Sequence, residues 1–286
     1  MDFHKIKLIT IAALLSDDIL LGMFVLKGGN ALELVYEITN RGSIDIDFSM
    51  EGDFKPEERS RVERQMDSLL KDEFDKHGYV VFDVKLNERP EHIREEVKSF
   101  WGGYLLEFKI IKREEYDKLS LEIDTVRRNA IPIKPDGSTK FTVDISKYEY
   151  VGRKEKRELD GSIVYVYSPA MLVLEKLRAI CQQLPEYKEI IGSKKSSPRP
   201  RDFYDIYNLL KTFPDIESND ELKDMLRFVF EAKRVPLDFL NRISSQLEFH
   251  RQAWESVAQT VSQRETLNEF DYYFNFVVEF AYRLKS

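Results

Sequence analysis

The chain has 286 residues, 42 % hydrophobic, 33 % charged and 12 % aromatic. This composition supports a sizeable core and excludes a disordered or fibrous chain. With 44 Lys and Arg against 51 Asp and Glu, the net charge of −7 excludes holding an acidic ligand by overall charge alone, so nucleic acid would need a local basic patch. One cysteine, Cys181, and four scattered histidines leave no disulfide and no zinc-type cluster. No apolar run approaches the roughly 18–20 residues of a membrane span. The first residues lack a signal-peptide layout. The expectation is a cytoplasmic protein with no membrane partner.

In chain order, residues 6–15 are apolar and predict a helix, and residues 23–27 predict a short strand ending at Gly28-Gly29. Ala31, Leu32, Leu34, Val35 and Ile38 have helical spacing, and residues 39–43 have turn chemistry. Residues 44–48 alternate apolar and acidic, which predicts a strand. A charged amphipathic helix is expected over 56–76, then strands over 79–86, 104–111 and 119–126. Residues 127–162, with Pro132, Pro135, Gly137 and Gly161, read as irregular. Ser168-Pro169 is a helix start signal. Helices are expected at 169–184, 201–212, 220–231, 236–247 and 250–283. The reading is an α+β fold, a mixed sheet with helices over 1–165 followed by a helical C-terminal domain over 166–286.

Asp45 and Asp47 are the sharpest feature. Alternate strand residues share a side, with Cα atoms roughly 6.5 Å apart. Two carboxylates so placed can hold divalent cations about 3.5–4 Å apart, and Mg²⁺ takes oxygen ligands and phosphate. The competing reading is an edge strand bearing solvated acids. Gly28-Gly29 between strand and helix lets backbone N–H groups approach a phosphate, and Asn30 could cap the helix and donate to phosphate. A third acid could come from the expected strand at 119–126, Glu122 first and Asp124 second.

These residues resemble a known family. Lys27-Gly28-Gly29-Asn30-Ala31-Leu32, then Arg41-x-Ser43-x-Asp45-Ile46-Asp47-Phe48, is similar to the opening signature of the AbiEii/AbiGii toxin nucleotidyltransferases, within the DNA polymerase β-like nucleotidyltransferase superfamily. Leu174-Glu175-Lys176-Leu177 resembles its lysine motif and Arg201-Asp202-Phe203-Tyr204-Asp205-Ile206 its R-D-x-x-D motif. The resemblance implies a nucleotidyltransferase domain in the first half and transfer from an NTP with Mg²⁺. It also implies a toxin paired with a cognate antitoxin protein, with the 3′ end of tRNA as an acceptor. It carries Asp45, Asp47, Glu122, Lys176, Asp202 and Asp205 as catalytic residues. Gly28, Gly29, Asn30, Arg41, Ser43 and Lys176 would bind nucleotide, and Asp45, Asp47 and Glu122 the metal.

Lys176 lies off the apolar face formed by Val173, Leu177, Ile180, Cys181 and Leu184, which would leave it pointing into a cleft to neutralise the triphosphate. Asp202 could cap its helix and Arg201 pair with Asp205 one turn on. Basic clusters at 127–128, at 153–157 and at Lys194, Lys195, Arg199 and Arg201 could bind an RNA backbone if they share a face. Alternatives are a protein or small-molecule acceptor, or a non-catalytic binding protein.

Overall fold

The computed structural model describes residues 3–38, 45–119, 122–133, 137–192, 195–259 and 267–285. Helix α1 (Phe3–Leu15) leads into α2 (Asp18–Met23). The Asp17 carboxylate caps α2, accepting from the N–H groups of Ile19 and Leu20 at 3.0 Å. Strand β1 (Val25–Lys27) passes directly into α3 (Gly28–Asn30), which continues as a π-helical turn over Ala31–Val35. After β2 (Ile46–Ser49) come α4 (Arg59–Lys76), β3 (Tyr79–Arg89) and β4 (Gly103–Lys112). Val62, Met66, Leu70 and Phe74 recur every fourth residue of α4 and are its buried stripe.

The short helices α5 (Arg113–Tyr116) and α6 (Ile123–Arg128) precede β5 (Phe141–Ser146), β6 (Lys154–Leu159) and β7 (Ser162–Tyr167). Two sequence expectations change here. Residues 123–128 are helix rather than strand, and the stretch read as irregular contains β5 and β6.

The seven strands form one sheet in the order β3-β4-β5-β2-β1-β7-β6. β2 runs antiparallel to β1 and parallel to β5, and β1 runs parallel to β7. The mixed α/β architecture agrees with the sequence reading. The domain limit expected at 165 falls inside β7, and one hydrophobic cluster joins both halves of the chain.

Ser168 caps α7 (Pro169–Cys181), its Oγ accepting from Met171 N–H at 3.3 Å. Then follow α8 (Tyr187–Ile191), α9 (Pro200–Thr212) and α10 (Leu222–Glu231), and a 3₁₀ stretch over Leu237–Gln246. The long terminal helix expected over 250–283 is broken. It appears as α11 (Leu247–Arg251), α12 (Trp254–Ala258) and α13 (Phe270–Lys285). Phe270, Tyr273, Phe274, Val277, Phe280, Ala281 and Leu284 are the buried face of α13. Among the described residues no helix is long and apolar enough to cross a membrane.

Candidate active site

The centre of the sheet has two chemically different faces. Ile46, Phe48, Val143 and Ile145 point into the core and are fully buried. The alternate residues of the same strands are polar: Asp47 and Ser49 on β2, and Thr142, Asp144 and Ser146 on β5. Asp45 stands one residue before β2, two before Asp47 and so on the same side. The parallel register pairs Asp47 with Asp144 directly, which sets Asp144 beside the Asp45–Asp47 pair. Thr142 donates its hydroxyl to Asp45 Oδ1.

Gly28 explains how the turn after β1 meets these acids. Its φ is +66°, and a Cβ there would stand 2.5 Å from Asp47 Oδ2 and 3.0 Å from its Cγ. Only glycine lets the backbone lie against that carboxylate in this conformation. Asn30 is fully buried inside the helical turn and does not cap it. Its Nδ2 donates to the Asp45 carbonyl at 2.5 Å, tying the turn to the start of β2. Arg41 and Ser43 lie outside the described residues.

Burial pushes the Asp47 carboxyl up to about 7. The Lys27 ammonium pulls it down, while Asp144 and Glu175 push it up. Asp144 is raised by burial as well, with Arg89 and Lys27 opposing and Asp45 adding to the rise. Among the described residues no three acids, histidines or cysteines are already gathered tightly enough to hold a metal ion. The donor set still fits a hard cation. It is all carboxylate oxygen, on one face, with two acids in register whose mutual repulsion a cation would relieve.

Glu122 is not part of this arrangement. It is exposed and precedes α6, and Asp124 on that helix pairs with Arg127 at 3.2 Å. The sequence alternates over residues 121–124, but the chain turns helical from Ile123, so neither acid projects from a strand beside Asp45. Asp144, which the sequence reading passed over, holds that place. Its local pattern, Thr142-Val143-Asp144-Ile145, is the same acid-between-apolar alternation that marked Asp45 and Asp47.

Lys176 also differs from expectation. α7 is apolar nearly all round and packed on all sides, and Lys176 is only 5 % exposed. Its Nζ donates to Asp205 Oδ2 at 2.7 Å and to Asp202 Oδ1 at 3.2 Å. Burial would lower its pKa, yet Asp205 and Asp202 outweigh burial and raise it, so the ammonium stays charged. Asp202 sits inside α9 rather than capping it and also accepts from Arg199 Nε. Burial opposes ionisation of Asp202, but Arg199 and Lys176 hold its pKa at about 2. The lysine motif and the R-D-x-x-D motif are thus brought together as a buried ion cluster linking α7 to α9. Asp205, which i,i+4 spacing set opposite Arg201, accepts from Lys176.

A cavity of about 300 Å³ opens beside Asp144, lined among others by Lys27, Glu175, Arg178, Arg199 and Lys233. In its wall Arg178 grips Glu149 through two nitrogens at 2.7 and 3.2 Å. Although burial would raise it, Arg178, Lys233 and Lys27 hold the Glu149 carboxyl well below the usual range. The basic clusters do not merge into one patch. Arg127 is engaged by Asp83 near the β3 edge of the sheet, whereas Lys154, Lys156 and Arg157 lie on β6, the opposite edge. Lys194 lies outside the described residues.

A family model described as the nucleotidyl transferase AbiEii toxin of type IV toxin–antitoxin systems matches residues 10–276. The chain belongs to the AbiEii nucleotidyltransferase toxin family. It is therefore a nucleotidyltransferase of a toxin–antitoxin system, and the family implies an antitoxin partner. No curated protein matches the chain. Among solved structures, a nucleotidyltransferase candidate from H. pylori is 17 % identical, with 99 % of this chain and 95 % of that chain covered at a TM-score of 0.49. JHP933 from Helicobacter pylori is 18 % identical, covering 99 % and 92 % at 0.48. An antigenic nucleotidyltransferase-like protein from Paracoccidioides brasiliensis is 15 % identical, covering 85 % and 93 % at 0.35. The assignment of this AbiEii relative rests on the family match and not on these structures.

Proposed function

We propose that this AbiEii-family toxin transfers an NMP from an NTP to the 3′ hydroxyl of an RNA, the tRNA 3′ end, in a Mg²⁺-dependent reaction in the cytoplasm. The observation that carries the metal-dependent chemistry is the alignment of Asp45, Asp47 and Asp144 on one face, with the Gly28 backbone against Asp47. These three carboxylates would hold the metal, in place of the set that included Glu122. Bound divalent cations supply Lewis acidity at the α-phosphate and lower the pKa of the attacking hydroxyl. The acceptor oxygen forms its bond to the α-phosphorus, the bond to the β-phosphate oxygen breaks, and pyrophosphate leaves. Asp144 takes the acceptor proton. The cations at the cavity, Lys27 and Arg199 foremost, face the phosphates. Asp202 and Asp205 act through Lys176, which fixes α7 against α9 and so positions Glu175 and Arg178 at the cavity wall.

The tRNA acceptor is supported by the resemblance to the family. The separation of the basic clusters on opposite sheet edges favours scoring protein as an acceptor in the same test. The test is incubation with each labelled NTP, Mg²⁺ and total RNA, then total protein. Label on the 3′ end of tRNA, lost without Mg²⁺, supports the reading. Label only on protein replaces RNA with a protein acceptor, and no label with any NTP contradicts the reading.

A further inference from the structure

One row of side chains crosses three neighbouring strands. Lys27 lies opposite Asp47 in the antiparallel β1–β2 pair, and Asp47 beside Asp144 in the parallel β2–β5 pair. Residues paired in this way share a face. Lys27 is only 7 % exposed. Its Nζ donates to Ser146 Oγ at 3.0 Å and lies 3.6 Å from Glu175 and 3.8 Å from Glu149. The ammonium thus stands at the Lys27 end of the row, on Ser146, Glu175 and Glu149, and the exposed Arg89 reaches Asp144 at 4.0 Å. The other buried cations nearby have closer engagements. Lys176 is committed to Asp202 and Asp205, Arg178 to Glu149, and Lys233 donates to the carbonyls of Phe100 and Lys147. Lys27 pulls down the carboxyls of both Asp47 and Asp144, joined by Lys176 at the first and by Arg89 at the second.

We propose that Lys27 is the resident counter-ion of the Asp47–Asp144 pair, a positioning residue that stands in for a divalent cation and sets how tightly the site binds one. The inference rests on the metal-dependent reading above. With the carboxylates empty, the ammonium offsets their charge and keeps the two acids together on one face. A cation arriving at the same carboxylates meets the repulsion of this charge, so Lys27 weakens metal binding in the absence of nucleotide. Replacing the charge with an apolar chain of similar length should strengthen metal binding. A residue that only packed the site would produce the opposite change or none.

The experiment is a titration of the full chain with Mn²⁺ without nucleotide, read by electron paramagnetic resonance of the free ion. Thermal unfolding is measured alongside. Lys27→Met is expected to bind Mn²⁺ roughly tenfold more tightly than wild type, the scale of one nearby charge at partial screening. Lys27→Gln, which keeps a donor for Ser146, should do the same, and Lys27→Arg should restore wild-type affinity. Equal or weaker binding by both neutral variants overturns the proposal while leaving the metal reading intact. So does an arginine variant that behaves like Lys27→Met, or failure of both neutral variants to fold, which would make Lys27 a structural residue. A wild-type protein that binds no Mn²⁺ overturns both this proposal and the metal reading.

Discussion

Gly28→Ala tests the contact between the β1 turn and the carboxylates. Two costs arise. The residue has φ +66°, a conformation that costs an L-residue about 1–2 kcal/mol. The new Cβ would also stand 2.5 Å from Asp47 Oδ2 and 3.2 Å from Asp47 Cβ, an overlap relieved only by moving the carboxylate or the turn. Overpacking of this kind costs about 1–3 kcal/mol. The total is about 2–5 kcal/mol by urea unfolding, with loss of nucleotidyl transfer because Asp47 is displaced. The two costs separate in a double-mutant cycle. In an Asp47→Ala background the clash with the carboxylate is gone, leaving the conformational cost and the 3.2 Å approach to Cβ of residue 47, so Gly28→Ala should cost about 1–2 kcal/mol less than in wild type. An equal cost in both backgrounds, or near-normal turnover by Gly28→Ala, would refute the reasoning.

Lys176→Met leaves Asp202 and Asp205 buried without their shared ammonium and should destabilise by about 3–5 kcal/mol in urea unfolding, with recovery when both acids are made Asn. A neutral effect would show the cluster to be solvated. His250 is fully buried, with Nδ1 accepting from Arg199 N–H at 3.0 Å, and burial lowers its pKa to about 4. Its folded pKa lies below the unfolded value near 6.5, so the unfolded chain takes the proton first. The stability is full above about pH 6.5 and is lost as pH falls through 4, by about 3 kcal/mol. Wild type should lose that much more than His250→Asn between pH 7.5 and 4, measured by urea unfolding, and equal losses would contradict it. Asp45→Asn and Asp47→Asn should each abolish transfer without unfolding the metal-free chain, and near-normal turnover by either would remove it from the site.

The unit from β1 through Gly28 to β2 was readable because its signals are local: a short apolar strand, a Gly-Gly turn, helical spacing, and acids alternating with Ile46 and Phe48. Ser168-Pro169 marked the start of α7 for the same reason. Asp144 was hidden because its importance comes from pairing β5 with β2, a long-range contact, and because the prolines and glycine before it made the stretch look irregular. Residues 121–124 misled because four alternating residues cannot distinguish a strand from the entry to a helix. Ile123, within the strand expected over 119–126, begins α6 and is 46 % exposed. Lys176 was read from one apolar stripe, but α7 also carries Met171, Leu172, Leu174 and Ala179, and a helix apolar on all sides is buried on all sides. A lysine on such a helix needs carboxylate partners, and α9 supplies two. That α9 packs there is a tertiary fact no local pattern contains.

The central claim is that the third carboxylate is Asp144 and not Glu122. The most direct measurement is nucleotidyl transfer from labelled NTP by Asp144→Asn and Glu122→Gln, each compared with wild type under saturating Mg²⁺. Loss of a ligand to catalytic metal should remove about 10²–10³-fold or more of the rate, on the scale of losing a main electrostatic contact to the transition state. We expect that loss for Asp144→Asn and a rate within about twofold of wild type for Glu122→Gln, an exposed surface change. An active Asp144→Asn together with an inactive Glu122→Gln would contradict the account.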